Sequence, residues 1–546
     1  MSLPTVHDRY SVDEIRSFHD NGYWGAESLH ALVAAQADIS PDKRFMFDST
    51  TAYTYGEMRD QSLRLATALR KKGIDRGDRV LVQLPNWAEF SLITVALARI
   101  GAVLVPVMPI YRDNEVEYLL QHSGAKMVIT SEQFKGFDYL GMYSRLRTSC
   151  PGVEHVVALR TSGAPDPSVA LSFDDLLDTP ADLELLGPDG DPDAPFLIIY
   201  TSGTTSRPKG CLHTFNTCRS SAKTIAISLD YTADDVQFGP SPIAHATGLV
   251  TNMLLPLEKG ASSHLMEAWE PVEGMRRIQE HRCTIAVSAT AFLQMMMAVH
   301  DPDKNDLSSM RAWVCAGAPI PGSIVEAAEK MLAGGKVLSL YGRSENMVTT
   351  MCTVGDDPIR SITSDGSALR GAEVRIVDAD GSSVPTGTEG DIAYRGPSHM
   401  ICYYQDEEQT TALFTPEGFS RSGDLGYMDS DGFVRVSGRL KDIVIRGGLN
   451  ISARELEDLL VQHPAISDIA VVGMPDERLG EKVCAYIIPA DGSAPTLEDV
   501  TSFLRERNVA TPKLPEHLEL VDAFPMTATG KIQKHVLRKN IADKLG

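Results

Sequence analysis

Apolar residues fall in short continuous blocks along the first two-thirds of the chain, and each block is followed by a stretch with helical spacing. Arg79-Val80-Leu81-Val82-Gln83-Leu84 reads as a strand, 87–100 as a buried helix, 103–107 as a strand, 114–122 as a helix closed by Gly124, and 126–130 as a strand. Upstream, 1–39 reads as a surface arm and a first helix, and Tyr53-Thr54-Tyr55 as a short strand. The stretch 57–72 has helical spacing at Met58, Leu63, Leu65, Ala66 and Leu69 and is stopped by Gly73. The alternation resumes with strand 195–199, helix 215–229, strand 235–238, helices 247–257 and 272–281, strand 284–288, helix 291–300, strand 311–315, helix 323–332 and strand 336–341. Such alternation predicts α/β sheets with parallel pairs, and its two runs suggest two related sheets. Between them, 161–195 is rich in Gly, Pro and Asp and reads as an exposed connector.

The pattern changes after Thr363. Segments 374–377, 391–394 and 432–436 are short strands between Gly- and Asp-rich turns, which predicts a small antiparallel barrel over about 364–438. After Arg439 come strands 469–472 and 483–488 and a helix 497–507 opened by Thr496, an α+β unit of about a hundred residues, large enough to fold by itself.

A chain of 546 residues is too long for one core, so two or more domains are expected. Lys plus Arg number 51 against 73 Asp plus Glu, a net charge of −22. That balance argues against nucleic acid and anionic membrane as partners, so a polyanionic ligand has to find a local positive site. The eight cysteines are scattered without a Cys-x-x-Cys pair, which suggests neither zinc nor a disulfide framework but a reducing compartment. The N-terminus shows no signal-peptide pattern. The most apolar stretch, 91–110, is interrupted by Arg99, Gly101, Pro106 and Pro109, too often to span a bilayer. A cytoplasmic enzyme is expected.

Candidate chemistry centres on Tyr200-Thr201-Ser202-Gly203-Thr204-Thr205-Ser206-Arg207-Pro208-Lys209-Gly210, behind the apolar run 195–199. Glycines let backbone N–H groups converge into an anion nest, hydroxyls add donors, and Lys209 adds a charge, a set suited to phosphate. It is not a Walker loop, because Lys209 precedes the second glycine. Ser339-Leu340-Tyr341-Gly342-Arg343-Ser344-Glu345 is a turn at a strand's carboxyl end, where Tyr341 could stack on a base, Ser344 reach a phosphate and Glu345 hold Mg²⁺. Phe419-Ser420-Arg421-Ser422-Gly423-Asp424-Leu425-Gly426 offers a turn carboxylate to two ribose hydroxyls or to its own backbone. The stretch 436–450 joins a charge-dense turn to an apolar strand and Gly447-Gly448. Pro525-Met526-Thr527-Ala528-Thr529-Gly530-Lys531 is a loop with a lysine at its tip.

In order, spacing and wording these segments resemble the adenylate-forming superfamily, in its acyl- and aryl-CoA synthetase (acid–thiol ligase) branch, from about Tyr53 to the end; Gly390-Asp391-Ile392-Ala393-Tyr394-Arg395-Gly396-Pro397 adds a sixth match. The resemblance implies a large N-terminal domain, 1–438, a hinge at 439–441 centred on Lys441, and a small mobile lid, 442–546. It implies ATP, Mg²⁺ and CoA as ligands. Thr201, Ser202, Gly203, Thr204, Thr205 and Lys209 would cradle phosphates. Tyr341, Gly342 and Ser344, with Gly317, Ala318 and Pro319, would surround the nucleotide. Glu345 would take Mg²⁺, Asp424 the ribose hydroxyls, and Arg439 ribose or phosphate. Lys531 matches the lid lysine that bridges the acid and the α-phosphate, and is also a site at which relatives are acetylated by a lysine acetyltransferase. Gly447 and Gly448 would line the pantetheine tunnel, and His245, Gly248, Ala289, Thr290 and Gly317 the acyl pocket. Thr205, His245, Glu345 and Lys531 are the expected catalytic set, and a homodimer is among the expectations. Ser206, Ser344 and Asp391 replace the usual glycine, threonine and glutamate, and Phe215 stands where many relatives have histidine.

The pocket walls are small and uncharged, which favours a non-amino acid that is fatty, alicyclic or aromatic, activated as acyl-AMP and passed to CoA. Two alternatives stand beside this. One is an aryl-acid adenylating enzyme that loads a carrier-protein phosphopantetheine, suggested by Asn21-Gly22-Tyr23-Trp24 and Gln83-Leu84-Pro85-Asn86. The other is a luciferase-like or acyl-adenylate-binding relative without ligase activity.

Overall fold

The computed structural model describes residues 3–201, 207–317, 320, 322–527 and 532–545. The two runs of alternation build two sheets. The eight-stranded sheet runs Cys402–Tyr403, Gly210–Thr214, Pro195–Tyr200, Val103–Pro106, Arg79–Gln83, Met127–Ser131, His155–Leu159, Leu171–Ser172. Its neighbours are parallel from Pro195–Tyr200 onward, and its first two pairings are antiparallel. The nine-stranded sheet runs Ser367–Ala368, Thr350–Met351, Lys336–Tyr341, Ala312–Ala316, Ile285–Ala289, Val236–Gly239, Ser262–Leu265, Arg44–Phe47, Ala52–Thr54. All pairs between Lys336–Tyr341 and Arg44–Phe47 are parallel. Helix Ala88–Ile100 is buried along its whole length, which accounts for its all-round apolar sequence.

Local chemistry adjusts several expected boundaries. Tyr55 opens the helix Tyr55–Lys71 instead of ending a strand, because Thr54 and Glu57 form a reciprocal capping box. Strand Gly210–Thr214 was not legible, so the phosphate-loop segment joins two antiparallel strands and does not lead straight into a helix. The expected helix 247–257 is three pieces: Ala246–Gly248, a π-helical turn Leu249–Leu254, and Leu255–Lys259, where Pro256 withholds a backbone N–H. The connector 161–195 is tied down in part. Leu186 is buried, and the buried Arg99 guanidinium donates to the carbonyls of Gly187 (2.7 Å) and Pro188 (3.1 Å).

The antiparallel region is a four-stranded meander, Glu373–Val377, Gly390–Arg395, Ser420–Met428, Val434–Arg439. Beyond it, Val444–Arg446, Leu449–Ile451, Ile466–Asp476, Gly480–Pro489 and His517–Leu520 form a five-stranded sheet. Alternate residues of that sheet serve two cores. Val471, Val483, Ala485 and Ile487 pack under helices Ala453–Leu460 and Leu497–Glu506, while Ala470, Val472, Cys484 and Tyr486 meet Leu537 and Ile541 of helix Lys534–Leu545. Burial on both faces explains why these strands read as unbroken apolar runs. Among the described residues no helix is long and apolar enough to cross a membrane, and all eight cysteines are free.

Candidate active site at the strand ends

Four adjacent parallel strands of the nine-stranded sheet end on predicted site residues. Val236–Gly239 leads to His245, Ile285–Ala289 ends on Ala289 and is followed by Thr290, Ala312–Ala316 by Gly317, and Lys336–Tyr341 ends on Tyr341 before Gly342. The carboxyl ends of open α/β sheets are where such folds bind ligands, because the loops there are free to diverge.

Tyr341 and Asp424 come from strands 83 positions apart, yet the Tyr341 hydroxyl donates to Asp424 Oδ2 at 2.7 Å. Arg439 Nε meets Asp424 Oδ1 at 2.8 Å. The Asp424 charge raises the Arg439 pKa, and burial followed by that same charge pushes the Tyr341 phenol well above its usual range. Asp424 is therefore a buried side chain that bridges the Arg439 guanidinium and the Tyr341 hydroxyl.

Glu345 lies in a second cluster. Its Oε1 accepts from the Tyr403 hydroxyl at 2.6 Å. The Lys209 ammonium sits 4.8 Å from the centre of the Tyr403 ring and donates to Gln409 Oε1 at 2.7 Å. Burial, then the Glu345 charge, raises the Tyr403 pKa, so the ring stays a hydroxyl donor. Mg²⁺ is commonly held by one or two carboxylates, with phosphate oxygens and water completing its shell. Among the described residues, no group of three or more His, Cys, Asp or Glu is placed to hold a metal ion by itself.

The ends of the expected phosphate loop are fixed. Thr201 N donates to Lys209 O at 2.9 Å, Lys209 N donates to Thr201 Oγ1 at 3.3 Å, and Tyr200 pairs with Gly210. Behind it the Tyr118 hydroxyl donates to Pro208 O at 3.0 Å, and His122 Nδ1 lies 2.8 Å from the Tyr200 hydroxyl. The loop residues Ser202, Gly203, Thr204 and Thr205 lie outside the described residues, as do Ala318, Pro319 and Lys531.

Three supporting residues carry no predicted role in the sequence reading. Arg343 donates to Arg421 O (2.7 Å), Ser420 O (3.0 Å), Ser420 Oγ (2.5 Å) and Asn346 Oδ1 (3.0 Å), and so locks the Tyr341–Glu345 turn to the strand of Asp424. Asp391 accepts from Arg421 Nε (3.0 Å), Ser422 Oγ (3.2 Å) and Gly423 N (2.9 Å), shaping the turn before Asp424. His213 Nε2 donates to the Ser344 carbonyl at 2.8 Å, leaving Nδ1 to accept from Thr217 Oγ1 at 3.1 Å. Burial lowers the His213 pKa to about 4, which keeps it neutral. Arg343 and Asp391 sat inside motifs already singled out; Tyr403 and His213 carried no local signal, because their partners are 58 and 131 positions away.

His245 caps the short helix Ala246–Gly248, its Nδ1 accepting from Thr247 N at 3.4 Å. A Cβ at Gly248 would lie 2.0 Å from Pro242 O, and one at Gly342 would lie 2.1 Å from Met347 O, so only glycine fits either place. At the expected hinge, Arg538 donates to the Lys441 carbonyl (3.2 Å) and to Asp442 Oδ1 (3.0 Å). Gly447 and Gly448 turn the hairpin between Val444–Arg446 and Leu449–Ile451, and Gly447 N donates to Leu479 O at 2.7 Å.

Comparison with known proteins gives the family. The sequence model of AMP-binding enzymes matches residues 33–404, and that of the AMP-binding enzyme C-terminal domain matches 455–531. A medium-chain fatty-acid–CoA ligase of Escherichia coli (strain K12) is 36% identical over 531 residues, covering 97% of this chain and 93% of the relative. A 2,3-dihydroxybenzoate-AMP ligase of Bacillus subtilis (strain 168) is 31% identical, covering 98% of this chain and 97% of its own length. Among solved structures, an anthranilate CoA ligase in complex with anthranoyl-AMP superposes with a TM-score of 0.86 at 25% identity, over 95% of this chain and 98% of that one. ATP-bound MatB from Rhodopseudomonas palustris gives a TM-score of 0.84 at 26% identity, over 95% and 100%. By sequence, fold and the residues gathered at its strand ends, this chain belongs to the AMP-binding enzymes, the adenylate-forming superfamily.

Proposed function

We propose that the protein is an AMP-forming acid–CoA ligase that activates a non-amino carboxylic acid with ATP. The observation that carries the reading is the pair of linked clusters, Tyr341–Asp424–Arg439 and Glu345–Tyr403–Lys209, beside the strand ends that bear His245, Ala289 and Gly317. In the first step a carboxylate oxygen of the acid attacks the α-phosphorus of ATP, and the bond to pyrophosphate breaks. In the second a thiol sulfur of CoA attacks the acyl carbonyl, AMP leaves, and the thiol proton goes to solvent.

Each residue has a part in this scheme. Thr201, Ser202, Gly203, Thr204, Thr205 and Lys209 hold the phosphates. Tyr341, Gly342, Ser344, Gly317, Ala318 and Pro319 surround the nucleotide. Asp424 accepts the ribose hydroxyls, with Arg439 fixing the carboxylate. Glu345 would hold Mg²⁺, which neutralises phosphate charge when bound. His245, Gly248, Ala289, Thr290 and Gly317 wall the acid. Lys531 reaches both the carboxylate and the α-phosphate, where two anions meet and a positive group lowers the barrier by electrostatics and positioning. Rotation about Lys441 then withdraws the lid lysine and brings Gly447 and Gly448 to the pantetheine path, with the units bounded at 1–438 and 442–546.

Pyrophosphate release measured over a panel of carboxylic acids, with CoA and a phosphopantetheinylated carrier compared as acceptors, tests the reading. Acid-dependent release with thioester formed on CoA is expected; no release with any acid sinks it. Lys531→Ala should lose orders of magnitude in adenylation and far less in turnover of a supplied acyl-adenylate. Three finer expectations belong here. Acetylation of Lys531 would remove its charge and is read by peptide mapping after acetyltransferase treatment. A homodimer is read by sedimentation, and a cytoplasmic location by fractionation.

A further inference from the structure

Asn86, given no site role above, joins the two α/β sheets. It lies between strand Arg79–Gln83 of the eight-stranded sheet and helix Ala88–Ile100, and its side chain reaches the segment leaving strand Val236–Gly239 of the nine-stranded sheet. Asn86 Nδ2 donates to Ser241 O at 2.9 Å and to Gly239 O at 3.3 Å, and Oδ1 accepts from Ile243 N at 2.8 Å. Bonds to positions 239, 241 and 243 all converge on one amide, so a single side chain fastens the segment that leaves the strand.

The segment is held from its own side too. Ser241 O accepts a second amide, Asn252 Nδ2 of the π-helical turn, at 2.8 Å, and Ser241 Oγ donates to Val287 O at 2.9 Å. Asn86, Ser241 and Asn252 are all buried, where an unpaired amide is costly and a fully paired one fixes geometry. Two residues past Ile243 comes His245, whose N–H donates to Pro242 O at 3.0 Å, against which Gly248 packs. The loop of Asn86 is itself rigid. Asp48 Oδ2 accepts from Ala88 N at 2.9 Å, and Arg160 lies over the Trp87 ring at 4.1 Å while pairing with Asp48 (2.6 Å), Glu89 (2.8 Å) and Glu267 (3.3 Å).

We infer that Asn86 is a positioning residue for acid recognition: from the opposite sheet it sets where His245 and Gly248 stand, and so governs the fit of the acid without touching the nucleotide. The inference rests on the acyl-pocket reading of His245 and Gly248. A purely structural brace would lower stability and affect both substrates alike; a positioning residue separates them.

The test is the KM for the acid and for ATP in Asn86→Asp and Asn86→Ala, with melting temperature measured alongside. In Asn86→Asp at about pH 8 the introduced carboxylate would still accept from Ile243 N but face two carbonyl oxygens without a proton. The acid KM should rise about tenfold or more, with the ATP KM within about twofold. At about pH 6 protonation restores a donor, and the Asn86→Asp acid KM should recover toward wild type measured at the same pH, while Asn86→Ala stays impaired. Asn252→Ala, which removes the second donor to Ser241 from within the segment, should raise the acid KM in the same direction if the Asn86 variants fail to fold. A wild-type acid KM in folded variants, or equal rises for acid and ATP, overturns the inference. Absence of acid-dependent turnover in the wild type instead overturns the functional reading on which it rests.

Discussion

Arg343 shows how much of the site depends on residues that touch no ligand in the proposed scheme. Its guanidinium spans from the Tyr341 turn to the backbone of Ser420 and Arg421, four residues before Asp424 at most. Arg343→Ala would leave those carbonyls unpaired at about 1–3 kcal/mol each. The expected outcome is an ATP KM raised about tenfold, with a smaller change for the acid, measured by steady-state pyrophosphate release. Asp391→Asn should act in the same direction more weakly, because it keeps an acceptor for Gly423 N but loses the ion pair with Arg421. At this scale the sequence marked the residues proposed to meet ligand through their motifs. It was silent on Tyr403 and His213, whose partners arrive from distant segments.

Among elements, the turn Leu440–Asp442 is flanked by two ion pairs. Arg439 is tied to Asp424, and Asp442 to Arg538 of helix Lys534–Leu545. With these ion pairs in place, the lid rotation proposed above would fall on the dihedrals between them. Proline fixes φ and removes a donor, so Lys441→Pro is expected to spare acyl-adenylate formation and impair thioester formation, assayed as separate half-reactions. Helix Lys534–Leu545 is anchored a second time by Lys534 against Glu457 at 2.7 Å, and burial raises the Glu457 pKa. Glu457→Gln keeps an acceptor for Val471 N but removes the charge, so amide exchange across 534–545 should quicken. The helices and strands here were legible from periodicity; the cross-links were not.

For the whole molecule, buried histidines set an acid limit. Burial lowers His213 to about 4, His264 to about 3 and His399 well below its usual value, and the charges of His281 and Arg277 push His264 further the same way. Each is neutral in the fold and takes a proton near pH 6.5 once unfolded. Below that pH the unfolded chain binds more protons than the native one, so stability present above about pH 6.5 is lost as pH falls toward 4. Each such group adds a slope of up to about 1.4 kcal/mol per pH unit. Thermal melts should fall steeply between pH 6.5 and 4, and His264→Phe, packed against Phe47 and Phe238, should flatten that fall. An unchanged slope would mean His264 does not stay neutral in the fold.

The chain by itself determined its layered α/β class, its antiparallel insert and its α+β tail, because apolar period and turn residues are local quantities that need no partner. It determined the superfamily as well, since contiguous words such as Tyr341-Gly342-Arg343-Ser344-Glu345 carry their chemistry in one stretch. Only the tertiary structure decided which words stand together: that Tyr341 binds Asp424, that Tyr403 covers Glu345, and that Asn86 of one sheet grips the His245 segment of the other. Those pairings follow from sheet order and strand register, which depend on contacts between residues tens to hundreds of positions apart, beyond the reach of any local pattern.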